Sequence, residues 1–178
     1  AEPFAPTKDS LPDILGLFGS IAVMGALAGK GPGGNSGLAS MSAMTGMMKG
    51  WREGRADLYM REKDKFEAEQ KVLQNRLTQI DKDLDVALKI AQTDLVGFQN
   101  EVDLTIAKYG ADELRELARR EGVNGVLKFK QYAQNAQAQA ANHFATLASN
   151  AYNRAASAQM AMMRSGFGLG ASGSIQKY

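Results

Sequence analysis

The sequence has no cysteine, a single histidine and four prolines in 178 residues. The missing cysteine excludes disulfides and every thiolate metal site. The lone histidine, His143, sits in an Ala/Asn-rich stretch with no carboxylate near it in sequence. It gives no basis for a histidine metal cluster or a nucleophile–base pair, and a structural or solvent-facing role suits it better. Three of the prolines fall in the first thirteen residues, so proline is all but absent from the rest. Acids are missing from 131–178, where the only formal charges are Arg154, Arg164 and Lys177. That end is mildly basic and could touch an anionic surface, but it is too sparse for a nucleic-acid groove, which needs clustered bases and stacking aromatics. Sequence-specific nucleic-acid binding is therefore not expected.

What the chain does have is helical periodicity. From Arg61 to Tyr109 there is no proline and only one internal glycine, Gly97. Phe66, Leu73, Leu77, Ile80, Leu84, Leu95, Phe98, Val102 and Ile106 recur mostly at intervals of three, four or seven, which places them on one stripe of an α-helix. Charged and amide side chains fill the other faces. Glu67 with Lys71 and Asp85 with Lys89 stand four apart, acid first, as helical ion pairs prefer. Between Leu84 and Leu95 the seam weakens and shifts, which suits a long bundle with a changing partner better than a uniform zipper. The reading is one long charged helix over 51–109 whose seam is an oligomer contact. Extended back to Met44 it would run roughly 100 Å.

The remaining segments follow from local chemistry. Residues 1–13 read as an extended proline-containing arm. Ile14–Gly29 is uncharged and, at about sixteen residues, shorter than the roughly 20 that span a bilayer; with no basic leader it does not read as a secretory signal. Gly16, Ala22, Gly25, Ala26 and Gly29 give it small-xxx-small spacing, suited to close helix contact in lipid or in a tight bundle. Gly31–Gly37 reads as a linker, lacking the pattern of a phosphate loop. It divides the apolar Gly/Ala/Met-rich segment 14–50, whose second half carries Met41, Met44 and Met48 at helical spacing. Residues 110–125 hold a short helix and turn. Asp112 and Glu113 open that helix, and Arg119, Arg120 and Gly122 close it, matching the macrodipole. An Ala/Gln/Asn-rich helix covers 126–164, and 165–178 reads as a flexible tail. The fold class is all-α: an extended helical hairpin, coiled-coil-like, with a very long central helix and glycine-rich ends.

No catalytic constellation emerges, so the chain does not read as an enzyme, and no cofactor or metal is expected. The carboxylates between Glu53 and Glu121 alternate with bases, as on a wet helix face. The chain opens on Ala1, which is consistent both with processing and with a fragment of a longer protein. The runs GLASMSAMTGMMKGWREGRADLYMREKDKFEAEQ and QYAQNAQAQAANHFATLASNAYNRAASAQMA resemble virion proteins of tailed bacteriophages. The nearest kinds are the internal or ejection proteins of short-tailed phages and the tape-measure proteins of long-tailed ones. The resemblance lies in composition and style over most of the chain, without a diagnostic motif, so no functional residue is carried over. It implies a homo-oligomer in the tail or internal channel of a virion, in contact with other tail or portal proteins. It also implies transient contact with the host envelope as the genome is ejected. Two other readings share the same features: a bacterial helical translocator or pore-former, and a soluble coiled-coil scaffold or adaptor. The scaffold reading requires an ordered first fifty residues and no lipid affinity.

Overall fold

The computed structural model describes residues 10–30 and 36–176, with side chains as far as Ser165 apart from a few positions. Among the described residues every regular element is helical: α1 Leu11–Ala28, α2 Ser36–Arg52, α3 Ala56–Ala91, α4 Leu95–Tyr109, α5 Asp112–Glu121 and α6 Val123–Gln176. Most of the expected arm, 1–9, and most of the linker, 31–35, lie outside the described residues. Residues 11–13 of that arm are helical, because Pro12 occupies the first turn of α1, where a missing N–H costs nothing.

The helix expected to run unbroken over 51–109 is interrupted twice. Gly54 has φ +66°, the left-handed conformation, and its N–H donates to the Trp51 carbonyl while the Arg55 N–H donates to Gly50. That pair of bonds is a Schellman motif, and it turns the chain from α2 into α3. Gly54 shares the four-residue spacing of Gly46 and Gly50, which makes a stop signal look like a packing signal. The second break follows Ala91. Asp94 is extended and its carboxylate accepts the Gly97 N–H at 2.9 Å, an aspartate N-cap that starts α4 afresh. The weak, shifted stretch of the seam after Leu84 runs straight into this corner.

Each break folds the chain back on α3, so the expected long rod becomes a bundle. The N-terminal half of α3 runs antiparallel to α2, and a Cβ placed on Gly46 would come within 2.6 Å of Glu62. The C-terminal half runs antiparallel to α4: Arg76 donates to the Tyr109 carbonyl at 2.9 Å, and Lys108 pairs with Asp83 at 3.5 Å. Helix α6 crosses both halves in the opposite direction. Lys130 pairs with Asp81 and Asp85 at one end, and Phe144 meets Phe66 at the other, with ring centroids 6.3 Å apart. Phe18 of α1 approaches the same Phe66 edge-on at 5.5 Å.

The seam residues accordingly face helices of their own chain. Phe66, Leu73, Leu77, Ile80 and Leu84 are wholly buried, and Phe98, Val102 and Ile106 nearly so, all in one continuous core with Ile14, Met47 and Phe129. Leu95 departs from the expectation: as the first residue of α4 it is 62 % exposed, because it lies at the corner between α3 and α4 and not midway along one continuous helix. The ion pairs differ too. Glu67 is held by Lys63 at 2.6 Å, and Asp85 pairs with Lys130 across the bundle. Short helix α5 ends at Gly122 as expected. Helix α6 begins three residues before the expected 126 and continues through the supposed tail to Gln176, since extending an existing helix needs no new nucleus.

Leu77→Ala should lower the stability of the folded chain by about 2–5 kcal/mol, measured by denaturant unfolding. Because the covering helices belong to the same chain, the loss should not change with protein concentration. A second expectation concerns Lys130. Burial lowers its proton affinity, but the hydrogen bond from Lys130 to Asp85 and the charges of Asp81 and Asp85 outweigh that and hold it above the ordinary lysine value. A raised lysine stabilises the fold below its unfolded pKa, and the effect is lost as pH climbs through the folded one. Lys130→Met should therefore be destabilising at neutral pH, and its difference from wild type should shrink in strongly alkaline buffer.

Candidate functional site

Helix α1 carries no charge between Ile14 and Ala28 on any face. Ile14, Leu17, Ile21, Met24 and Leu27 form its buried side. An ordinary surface helix would turn polar residues outward. Here the outward side is Leu15 at 52 % and Val23 at 49 % exposed, with Gly19, Ala22 and Ala26 between them. Its one hydroxyl in this stretch, Ser20, is occupied by the Gly16 carbonyl at 3.0 Å. Helix α2 continues the same uncharged surface with exposed Leu38 and Met41.

At 18 residues, α1 is longer than the sixteen-residue apolar run suggests, because Leu11 and Pro12 join the helix. Among the described helices it alone is long and apolar enough to cross a membrane by length and composition, with 39 % of that span buried. Its length of ~27 Å approaches the ~30 Å hydrocarbon core of a bilayer.

Small residues at 16, 22, 25, 26 and 29 divide into two groups. Gly16 and Gly29 make close contacts. A Cβ on Gly16 would strike the imidazole of His143 on α6, so the only histidine is a half-buried packing group over a glycine. Gly29, at φ +74°, lies against the backbone of Gly110, also left-handed, and the Lys30 N–H donates to the Gly110 carbonyl at 3.4 Å. Glycine is required on both sides of that crossing, since each Cβ would strike the opposing main chain. Ala22, Gly25 and Ala26, in contrast, face an opening among the described residues. They form one wall of an open groove of about 380 Å³, with Ser40, Met41 and Met44 of α2 opposite. Lys30, Asp112 and Glu113 lie at its end. Sequence spacing identified the small residues but not the vacancy beside them, which depends on the angle at which α2 leaves α1.

A second depression, of about 430 Å³, lies between α4 and α5 beside Phe98, Val102, Arg115 and Arg119. Its two arginines are already answered, by Asp112 at 2.8 Å and Glu116 at 2.9 Å. The Arg119 hydrogen bond holds the Glu116 carboxyl below its usual value. Among the described residues no group of three or more His, Cys, Asp or Glu side chains is placed to hold a metal. Tyr59 is buried, and burial raises its phenol far above the ordinary tyrosine range, so it stays neutral. The surface best suited to act is thus the uncharged face of α1 and α2, and what it can do chemically is bind apolar surface.

Gly16→Ala should loosen the α1–α6 contact and cost about 1–3 kcal/mol in unfolding free energy. Adding His143→Ala should recover most of that loss; a double-mutant cycle with no coupling would contradict the contact. No known protein family, curated protein or solved structure matches this chain.

Proposed function

We propose that the chain is a non-enzymatic assembly protein, of the kind implied by its resemblance to tailed-phage virion proteins. In this reading it is a homo-oligomeric component of the tail or internal channel, bound to tail or portal proteins, that helps the genome across the host envelope. It is soluble while its bundle is closed and meets the envelope once released. Long helices able to assemble around a tube, including the finer coiled-coil arrangement, belong to this proposal. No cofactor takes part.

The observation that carries the reading is α1, apolar on every side and yet only partly covered. A helix that is hydrophobic all round is normally buried in a large core or in lipid. Held in the bundle by Phe18, Gly16 and the Asp13–Asn150 hydrogen bond of 2.7 Å, α1 satisfies neither condition fully. That makes it marginal in both environments, as a segment passing from a packed particle to a membrane must be. A bacterial pore-former would use the same helix in the same way, and isolated chains inserting without a particle would favour it. The soluble scaffold reading is favoured by a different observation: the described part of the first fifty residues is helical and packed, and the α3 stripe is already covered.

Full-length chain mixed with anionic, dye-loaded vesicles should release the dye. Val23→Asp, at an exposed position, should leave thermal unfolding unchanged and suppress release, because an acid near the centre of a spanning helix costs ~2.5–3.5 kcal/mol. Release at baseline for the unmodified chain would leave the soluble scaffold as the reading to keep.

A further inference from the structure

Two largely apolar surfaces are left open among the described residues, and they lie toward opposite ends of the bundle. One is the groove beside Ala22, Gly25 and Ala26. On its wall is Ser40, 2 % exposed, whose hydroxyl has no hydrogen-bond partner. Buried hydroxyls are nearly always paired, so an orphan here points to an occupant that brings a polar group as well as apolar surface.

The other surface is the outer half of α6. Past Asn150 none of its described side chains is buried. Tyr152, Ala156, Met160 and Met163 recur at intervals of four, four and three, which is one stripe of a helix. Tyr152 is 75 % exposed, and Met160 and Met163 are also open. Gln159 flanks the stripe with an amide, and the segment contains no acid.

We infer that the groove between α1 and α2 is the docking site for the outer half of α6 from a second copy of this chain. The inference rests on the homo-oligomeric reading above and specifies its interface. Four features match. Small residues on one wall let a helix approach closely, and methionines adapt their shape to the remaining space. Gln159 offers the amide that Ser40 lacks. Arg164, one turn beyond Met160, comes toward the end of the groove that holds Glu113, beside Asp112, whose charge is already met by Arg115. Finally, the chain's own α6 is excluded. It runs antiparallel to α1, with His143 over Gly16 and Asn150 on Asp13. Its continuation therefore leads away from Ala22 and Gly29, which lie ~9–20 Å beyond Gly16 along α1 in the other direction. Such a contact joins two different surfaces, so it is head-to-tail and builds rings or filaments.

The cysteine-free sequence permits a clean test in the full-length chain. Ala26→Cys and Met160→Cys proteins, mixed under mild oxidation, should give a mixed disulfide as the dominant product, since the bond forms only where Cα atoms come within about 7 Å. Light scattering should show the unmodified chain as an oligomer. Ala22→Arg/Ala26→Arg and, separately, Met160→Lys/Met163→Lys should each raise the dissociation constant by about tenfold or more. All four positions are at least partly open, and unchanged circular dichroism would confirm that the fold is retained. An oligomer whose size neither pair alters, with no mixed disulfide, would overturn this interface while sparing the homo-oligomeric reading. A chain monomeric at every concentration would remove both. Loss of vesicle binding with an unaltered oligomer in the arginine variant would assign the groove to lipid and overturn the inference.

Discussion

Everything in this molecule depends on how the apolar stripe of α3 is covered. Phe66, Leu73, Leu77, Ile80 and Leu84 form a narrow line along a 36-residue helix, and a line of that kind cannot remain in water. It can be buried by sister chains or by the chain's own other helices. The chain folds back at Gly54 and at Asp94, so α2 and α4 lie against opposite halves of α3, and α1 and α6 complete the enclosure. The hydrophobic driving force is the same in either arrangement. The two turns decide between them.

The charged residues follow that choice. Lys130 leaves its own helix to meet Asp81 and Asp85 on α3, and Arg76 of α3 reaches the carbonyl of Tyr109 at the end of α4. These pairs join elements far apart in sequence and set the register of α4 and α6 along the central helix. Pairs within one helix, such as Lys63 with Glu67, contribute only local support. Where backbone meets backbone, at Gly29 and Gly110, the ends of α1 and α4 are brought too close for any side chain. The groove beside Ala22 and Gly25 opens next to that crossing, so its position follows from the same constraint.

Helix α1 is the element on which the functional readings converge. Its inner face contributes to the core as any bundle helix would, while its outer face has no polar residue to justify exposure. Apolar surface next to a groove lined with small residues and an orphan hydroxyl is chemically suited to bind further apolar surface. Lipid and a second copy of the chain, the two occupants proposed above, both have the chemistry that such a face would bind.

The amino-acid order alone determined that the described residues are all-helical, that Phe66 to Leu84 and Phe98 to Ile106 each line an apolar helix stripe, that a helix stops at Gly110, and that Asp112 to Gly122 form a short helix. Each of these rests on interactions within a few residues: 3.6-residue periodicity, caps and breakers. It also held the two turn signals, Gly54 and Thr93-Asp94, but a glycine at a repeated spacing and a single aspartate within a helical pattern are ambiguous without their hydrogen bonds. Only the tertiary structure decided that the stripe is covered from within, that Leu95 stands exposed, that His143 rests on Gly16, and that Ala22 and Gly25 border open space. Those outcomes depend on the angle at which each helix leaves the last, and no local pattern encodes what a helix will meet at a distance in sequence.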